Sequence, residues 1–208
     1  MISYLRGMVY EHDGGTVIVD VNGVGYEVNV TNALASYLLS SDGEVELYVH
    51  THFSDSGAAL YGFLYRDELA VFKNLITVSG IGPKGAMSIL STFSVRDLFM
   101  RVAAEDAKSI STAPGIGAKT AQKLVIELKD KFRLMAVTYK DIESDNEEAS
   151  EKHEETRHEL MKAEAAEALM ALGYSKQEAK TSIGKVEIDE SMTVEELIKE
   201  ALRARKGF

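Results

Sequence analysis

The stretch VSGIGPKGAMSIL, Val78 to Leu90, returns as APGIGAKTAQKLV, Ala113 to Val125, with the leading glycines, Gly80 and Gly115, 35 residues apart. Each copy carries Gly-Ile-Gly, a lysine two residues past the second glycine, and an apolar run with helical spacing. Glycine at both ends of so short a bend permits backbone angles closed to other residues. A chain that repeats such a bend before a helix must build this region from short helices joined by sharp turns.

Three chemistries place glycines at a helix start, and the spacing separates them. Gly80, Gly82 and Gly85 match the dinucleotide pattern G-x-G-x-x-G, but that pattern follows a strand in a βαβ unit. Here a helical pattern precedes it, and the second copy has Thr120 in place of the third glycine. A phosphate loop of nucleoside triphosphatases needs glycine directly before its lysine; Ala118 stands before Lys119. The third chemistry is a helix–hairpin–helix turn on a nucleic-acid backbone. The bend brings main-chain N–H groups near the phosphates, and the helix start adds unpaired donors and the positive end of its dipole. Lys84 or Lys119 adds a compact charge. Ile81 and Ile116 are expected to turn inward. None of these groups reads a base edge, so such a site recognises backbone and shape. One Gly-Ile-Gly turn alone fits equally well a plain helix end followed by a helix start. Two copies with the lysine at the same offset favour DNA, and Lys123 strengthens the second.

Charge supports that reading once it is divided along the chain. The formal net charge is −10, yet residues 64–134 hold eleven basic and seven acidic residues. Residues 1–63 hold one basic and eight acidic residues, 135–160 come to −6, and 161–208 to −1. The glycine bends sit in the one net-positive segment, a hint of a polyanionic partner. There is no cysteine, so disulfides and cysteine-ligated metals are excluded. No signal-peptide pattern or membrane-length apolar run is read, and a cytoplasmic protein is expected.

The organisation is multidomain α+β. Residues 1–63 read as five short strands with one helical piece, NALASYLL, between the third and fourth, and Asn22-Gly23 suits a two-residue hairpin. That order suits a small closed barrel of the OB type, with a five-stranded open sheet as the alternative. Residues 64–134 read as short helices joined by the glycine bends. Residues 135–159 carry few apolar and many acidic residues and read as a mobile tether. Residues 160–208 read as three helices, about 160–172, 176–185 and 194–205, with capping boxes at Ser175–Glu178 and Thr193–Glu196. His50 and His52 face one side of a strand without a third ligand, so strand packing or surface exposure is expected and no metal site.

Together, MISYLRGMV, VNGVGYEV, THF…LYGF, the two hairpins and AEALMALGYSKQEA…EELIKEALR resemble the RuvA family, the Holliday-junction-binding subunits of the bacterial RuvAB branch-migration machine. The resemblance covers all three segments in order. It implies an OB-fold barrel, an all-α double helix–hairpin–helix domain and a tethered, three-helix UBA-like domain. It also implies a non-catalytic, cofactor-free subunit that binds four-way DNA junctions. Homotetramers, sometimes octamers, and a RuvB-type ATPase partner are implied too, with a junction resolvase as a further partner. By position, the DNA contacts are Gly80, Gly82, Lys84, Gly115, Gly117, Lys119, Thr120 and Lys123. Leu169, Leu172, Tyr174 and Ile198 are candidates for the ATPase face, or alternatively core. The family's acidic pin, two adjacent acids in a barrel loop, is reduced here to Asp55 in a loop two residues shorter, and an ordinary hairpin turn stands beside that reading. PGIGAKTA alone also resembles DNA glycosylases, so a helix–hairpin–helix glycosylase or nuclease is the rival. The aspartate such glycosylases use would fall near Val137, and Asp130 and Asp141 both miss it.

Overall fold

The computed structural model describes the backbone of residues 1–40, 43–55, 57–145, 147–186, 188 and 192–206. Within these it describes all side chains except those of residues 40, 136–157, 160 and 204–206. Two compact units divide the chain, Met1–Asn146 and Glu147–Phe208.

The first unit opens with five strands, β1 (Tyr4–Asp13), β2 (Thr16–Val21), β3 (Val24–Asn29), β4 (Glu44–Ser54) and β5 (Gly57–Phe63). They close in the order β1-β2-β3-β5-β4, with β1 pairing β4 to complete the barrel. The open-sheet alternative is therefore excluded. All pairs are antiparallel except β3 with β5, where Val28 lies opposite Leu60 and the Asn29 amide donates to the Leu60 carbonyl at 2.9 Å. Asn22 and Gly23 both have positive φ, as a two-residue hairpin turn of the primed type requires, and the Gly23 N–H donates to Asp20 Oδ1 at 2.7 Å. Strand alternation fills the interior with Val17, Val19, Val28, Leu47 and Val49. A Cβ at Gly7 would lie 2.0 Å from the Asp20 carbonyl oxygen, so the close approach of β2 needs glycine there. Helix α1 (Asn32–Ser40) spans the gap between β3 and β4 and buries Leu34, Ala35 and Leu38.

Helix α2 (Arg66–Leu75) lies against β4 and β5 through Phe72, whose ring centre is 5.2 Å from Tyr61, 5.0 Å from Phe63 and 5.5 Å from His50. His50 is thus packed against an aromatic; burial, with Lys73 and His52 nearby, lowers its pKa. One apolar cluster runs from Tyr61 and Phe63 through α2 to Phe132, which fixes the helical region to the barrel. That region comprises α3 (Pro83–Thr92), α4 (Val95–Ala103), α5 (Ala107–Ile110) and α6 (Ala118–Asp145). Ser94 caps α4, accepting the Asp97 N–H at 3.1 Å.

The second unit holds α7 (Glu147–Ala171), α8 (Lys176–Ile183) and α9 (Val194–Lys206), packed around Ala165, Leu169, Ile183, Leu197 and Ala201. Both expected capping boxes form. The Ser175 and Thr193 N–H groups donate to Glu178 and Glu196 at 3.0 and 2.9 Å, and each hydroxyl accepts the reciprocal bond. Helix α7 begins at Glu147, not near residue 160, and α6 continues to Asp145. Composition there suggested a mobile tether, and the backbone across 135–159 is helical on both sides of Asn146. The physical reason is local: Glu, Lys and Ala are good helix formers, and helix hydrogen bonds need no tertiary core. Most side chains of that segment, 136–157, lie outside the described residues.

Candidate nucleic-acid interface

The two bends are built by the same hydrogen bonds. After α2, Thr77 N–H donates to Asn74 O (3.1 Å), Val78 N–H to Leu75 O (3.1 Å), Ile81 N–H to Val78 O (3.0 Å) and Ala86 N–H to Gly82 O (3.0 Å). After α5, Thr112, Ala113, Ile116 and Ala121 repeat the series onto Ser109, Ile110, Ala113 and Gly117 at 3.0, 3.2, 3.0 and 2.9 Å. Even the hydroxyls of Thr77 and Thr112 donate to equivalent carbonyls, both at 2.7 Å. The first glycine of each bend has positive φ, +95° at Gly80 and +79° at Gly115, which a side chain would strain. Ile81 and Ile116 point inward, 3% and 5% exposed. The glycines point outward: Gly80, Gly82, Gly115 and Gly117 are all exposed. A Cβ at Gly82, Gly115 or Gly117 would meet nothing within 4 Å. Those three positions therefore leave open space for another molecule's backbone.

Because the first helical bonds are donated by Ala86 and Ala121, the N–H groups of the preceding turn are left without intrahelical acceptors. In α3 these include Lys84 and Gly85; Pro83 at the first helical position has no N–H to lose. In α6 they are Ala118, Lys119 and Thr120. Lys84, Lys119 and Lys123 are exposed, and no carboxylate pairs with them among the described residues. Two other cations of this region are engaged. Lys129 bonds Glu105, and Arg101 lies 3.8 Å from Asp106 and over the Phe93 ring at 4.9 Å.

The structure also joins the two bends, which spacing along the chain did not reveal. The third position of each glycine pattern faces the other bend. A Cβ at Gly85 would lie 3.3 Å from Ile116 Cδ1, and a Cβ at Gly80 would lie 3.7 Å from Thr120 Oγ1. Gly85 is thus small to admit Ile116, whereas Thr120 fits because its counterpart is a glycine. The Ser88 hydroxyl ties them further, donating to Pro114 O at 2.7 Å. The match to a dinucleotide pattern at Gly85 is a packing requirement.

The remaining candidates lie on other elements. Asp55 is exposed in the β4–β5 turn, where Ser54 lies opposite Gly57 and donates its hydroxyl to the Gly57 carbonyl at 3.2 Å. Leu169, 1% exposed, is core of the second unit and is not itself a surface contact. Its burial follows from helical spacing with Met161 and Ala165 on one face of α7. Tyr174 and Ile198 are partly buried against that core. Leu172 is 65% exposed, because α7 ends there: Gly173 takes φ +94° and the Tyr174 N–H returns to Leu169 O at 3.1 Å. Met170 is also exposed, 39%, where nothing in the sequence distinguishes it from a core methionine.

Comparison with known proteins agrees with this geometry domain by domain. The family model for the RuvA N-terminal domain matches residues 1–62, the SAM-like helix-hairpin-helix tandem 72–130, and the RuvA C-terminal domain 161–204. The Holliday junction branch migration complex subunit RuvA of Lachnospira eligens is 39% identical over 208 residues, covering all of both chains. Its namesakes in Alkaliphilus metalliredigens, 39% identical over 97% of each chain, and in Pectobacterium carotovorum, 38% identical over 98% of this chain and 99% of that one, align as fully. With barrel, paired hairpins and C-terminal helices matched in sequence and in order, the chain belongs to the RuvA family.

Proposed function

We propose that this protein binds four-way DNA junctions through backbone and shape, as a non-catalytic subunit of a branch-migration complex. The observation that carries the reading is the bond-for-bond duplication of two exposed glycine bends, each opening a helix beside an unpaired lysine. Gly80, Gly82, Lys84, Gly115, Gly117, Lys119, Thr120 and Lys123 hold the phosphates. The bends are locked to one another through Gly85, Ile116, Gly80 and Thr120, so they meet a duplex as one rigid unit. A four-fold homotetramer matches a four-armed ligand, and several weak grips add to a tight one. Octamers double that grip from the opposite face.

In this reading residues 1–63 form the central barrel and 64–134 grip the arms. Residues 135–159 act as a tether, and 160–208 dock an ATPase of the RuvB type through Leu172, Tyr174 and Ile198, supported from within by Leu169. Asp55 contributes a blunt acidic point at the barrel turn. A junction resolvase shares the assembled junction, and the protein works in the cytoplasm; no helix among the described residues is long and apolar enough to cross a membrane. The deciding measurement compares binding to a four-way junction with binding to linear duplex of equal length. Preference for the junction supports the reading, and equal affinity overturns it. Base release or strand scission with magnesium and damaged duplex would move the protein to the class of helix–hairpin–helix enzymes.

A further inference from the structure

The sequence holds one Asn-Gly pair, Asn22-Gly23, and it forms the turn between β2 and β3. Both residues are exposed, with φ +54° and +85°. The pair suits this turn because both residues tolerate positive φ. It is chemically fragile for a related reason. Glycine has no Cβ to shield its nitrogen, so that nitrogen can approach the preceding side-chain amide with little hindrance.

The reaction open to such a pair consumes only water. The Gly23 nitrogen attacks Asn22 Cγ, and the new N–Cγ bond closes a five-membered imide. The Cγ–Nδ2 bond breaks, and the side-chain nitrogen leaves as ammonia with the proton that Gly23 gave up. Water then opens the imide at either carbonyl. One opening leaves aspartate, and the other leaves isoaspartate, with the main chain rerouted through Cβ and Cγ.

The fold opposes the first step. In the imide, Asn22 Cβ and the Gly23 nitrogen lie on the same side of the Cα–C bond. A primed turn with both φ values positive sets ψ of its first central residue at about +30°, which puts them on opposite sides. The turn must therefore rotate before the ring can close. The strands leave it little slack, since Asp20 stays opposite Gly25 and Val21 opposite Val24. One side chain also holds the attacking nitrogen itself: Asp20 Oδ1 accepts the Gly23 N–H at 2.7 Å. A charged acceptor makes this one of the stronger kinds of hydrogen bond.

We infer that Asn22 is a latent deamidation site and that Asp20 is the latch that keeps it closed. The position gives the chemistry a structural consequence. Isoaspartate lengthens the turn by one main-chain atom and so pulls on β3, which closes the barrel onto β5 with Val28 opposite Leu60 and Asn29 opposite Tyr61. Either product adds a negative charge to residues 1–63, which already hold eight acidic residues and one basic.

The test incubates the full-length protein at neutral pH, below the melting transition of each variant. Peptide mass mapping and labelling by an isoaspartyl methyltransferase read position 22. The folded parent should convert more slowly than the same protein in urea. Asp20→Ala should raise the folded-state rate about tenfold, the worth of one charge-assisted hydrogen bond, and leave the rate in urea unchanged. Asp20→Asn, which keeps an acceptor oxygen without the charge, should fall between parent and Asp20→Ala. Equal rates for the parent folded and in urea would show that the turn gives no protection and overturn the inference. A folded-state rate unchanged in Asp20→Ala overturns the latch. So does a slower one, which would make the carboxylate a base that draws the Gly23 proton. Conversion of folded Asp20→Asn as fast as in urea would overturn it as well, because the acceptor would then hold nothing.

Discussion

One helical turn past the hairpin lysine, the second bend has Lys123 and the first has Ser88. Lys123 is exposed and unpaired among the described residues, while the Ser88 hydroxyl is taken by Pro114 O at 2.7 Å. At the third position of the glycine pattern the bends differ in the other sense, the second supplying the side chains: Gly85 receives Ile116, and Thr120 covers Gly80 of the first. Two bends with one backbone have thus diverged. At position 88 the first gives its side chain to holding the pair together, whereas the second leaves an additional exposed charge at Lys123. Duplication of a motif in sequence does not make its copies equivalent in function.

The largest effect should come from removing the feature the copies share. Lys84→Ala/Lys119→Ala deletes two charge-assisted contacts and should weaken junction binding about a hundredfold. If each subunit neutralises about four phosphates, log affinity should fall with log salt at a slope near −3.6, and the double variant should flatten it by about 1.8. Binding isotherms at several salt concentrations would check both. An unchanged slope would remove the bends from the interface.

The next largest effect concerns the lock between them. Gly85→Thr makes the first copy resemble the second in sequence, yet the added atoms meet Ile116 Cδ1, so a loss of about 2 kcal/mol in stability is expected from overpacking. Thr120→Gly, the reverse exchange, removes surface without a clash and should cost about 1 kcal/mol, chiefly through glycine's freedom near a helix start. Urea denaturation of both variants would measure this. Equal losses would mean that the bends do not interlock as described.

That lock was not legible in the sequence, and the reason is physical. Strand alternation, Asn22-Gly23, the capping boxes and the Gly-Ile-Gly bends are local patterns, so their residues announce them. Contact between Gly85 and Ile116 joins positions 31 apart and depends on how the start of α3 meets the second bend; the chain shows only a glycine and an isoleucine. Low apolar content in 135–159 speaks to core formation and says nothing for or against a helix, so the extent of α6 and the start of α7 were not legible there. Leu169 and Leu172 are one motif in sequence. A single turn of helix puts one in the core and leaves the other at a glycine cap on the surface.

Lys123→Ala should then expose the asymmetry in ligand binding, weakening the junction complex about tenfold and reducing the salt slope by about 0.9. Ser88→Ala, its positional counterpart, should leave affinity within about twofold and cost about 1 kcal/mol of stability through the lost bond to Pro114. Titrations paired with thermal melts separate these. A drop in affinity for Ser88→Ala equal to that of Lys123→Ala would make the copies equivalent after all.

The smallest effect lies in the helices that lead into the bends, whose capping carboxylates respond to pH in opposite senses. Glu68 caps α2 by accepting the Tyr65 N–H at 3.3 Å, and burial, aided by the neighbouring Asp67, pushes its carboxyl up to about 7. Asp106 caps α5, and its bonds from the Ser109 hydroxyl and N–H, the latter at 3.0 Å, hold it below the usual range. For Glu68 the unfolded chain loses its proton near pH 4.5 while the folded chain keeps it until about 7. Stability therefore falls between those values and stays reduced above them. For Asp106 the sign reverses: its contribution is present above the unfolded pKa and is lost as pH falls through the folded one. Glu68 keeps part of its surface in water, so the fall should be about 1 kcal/mol. Glu68→Gln, which keeps the acceptor without the charge, should flatten stability between pH 4.5 and 7. Asp106→Asn should lower stability evenly across that window without changing its slope, and should remove the loss that the parent shows at lower pH. If denaturation midpoints across pH 3–8 fall between 4.5 and 7 in Glu68→Gln as they do in the parent, another group governs the helix before the first bend, and the contrast between the two approaches disappears.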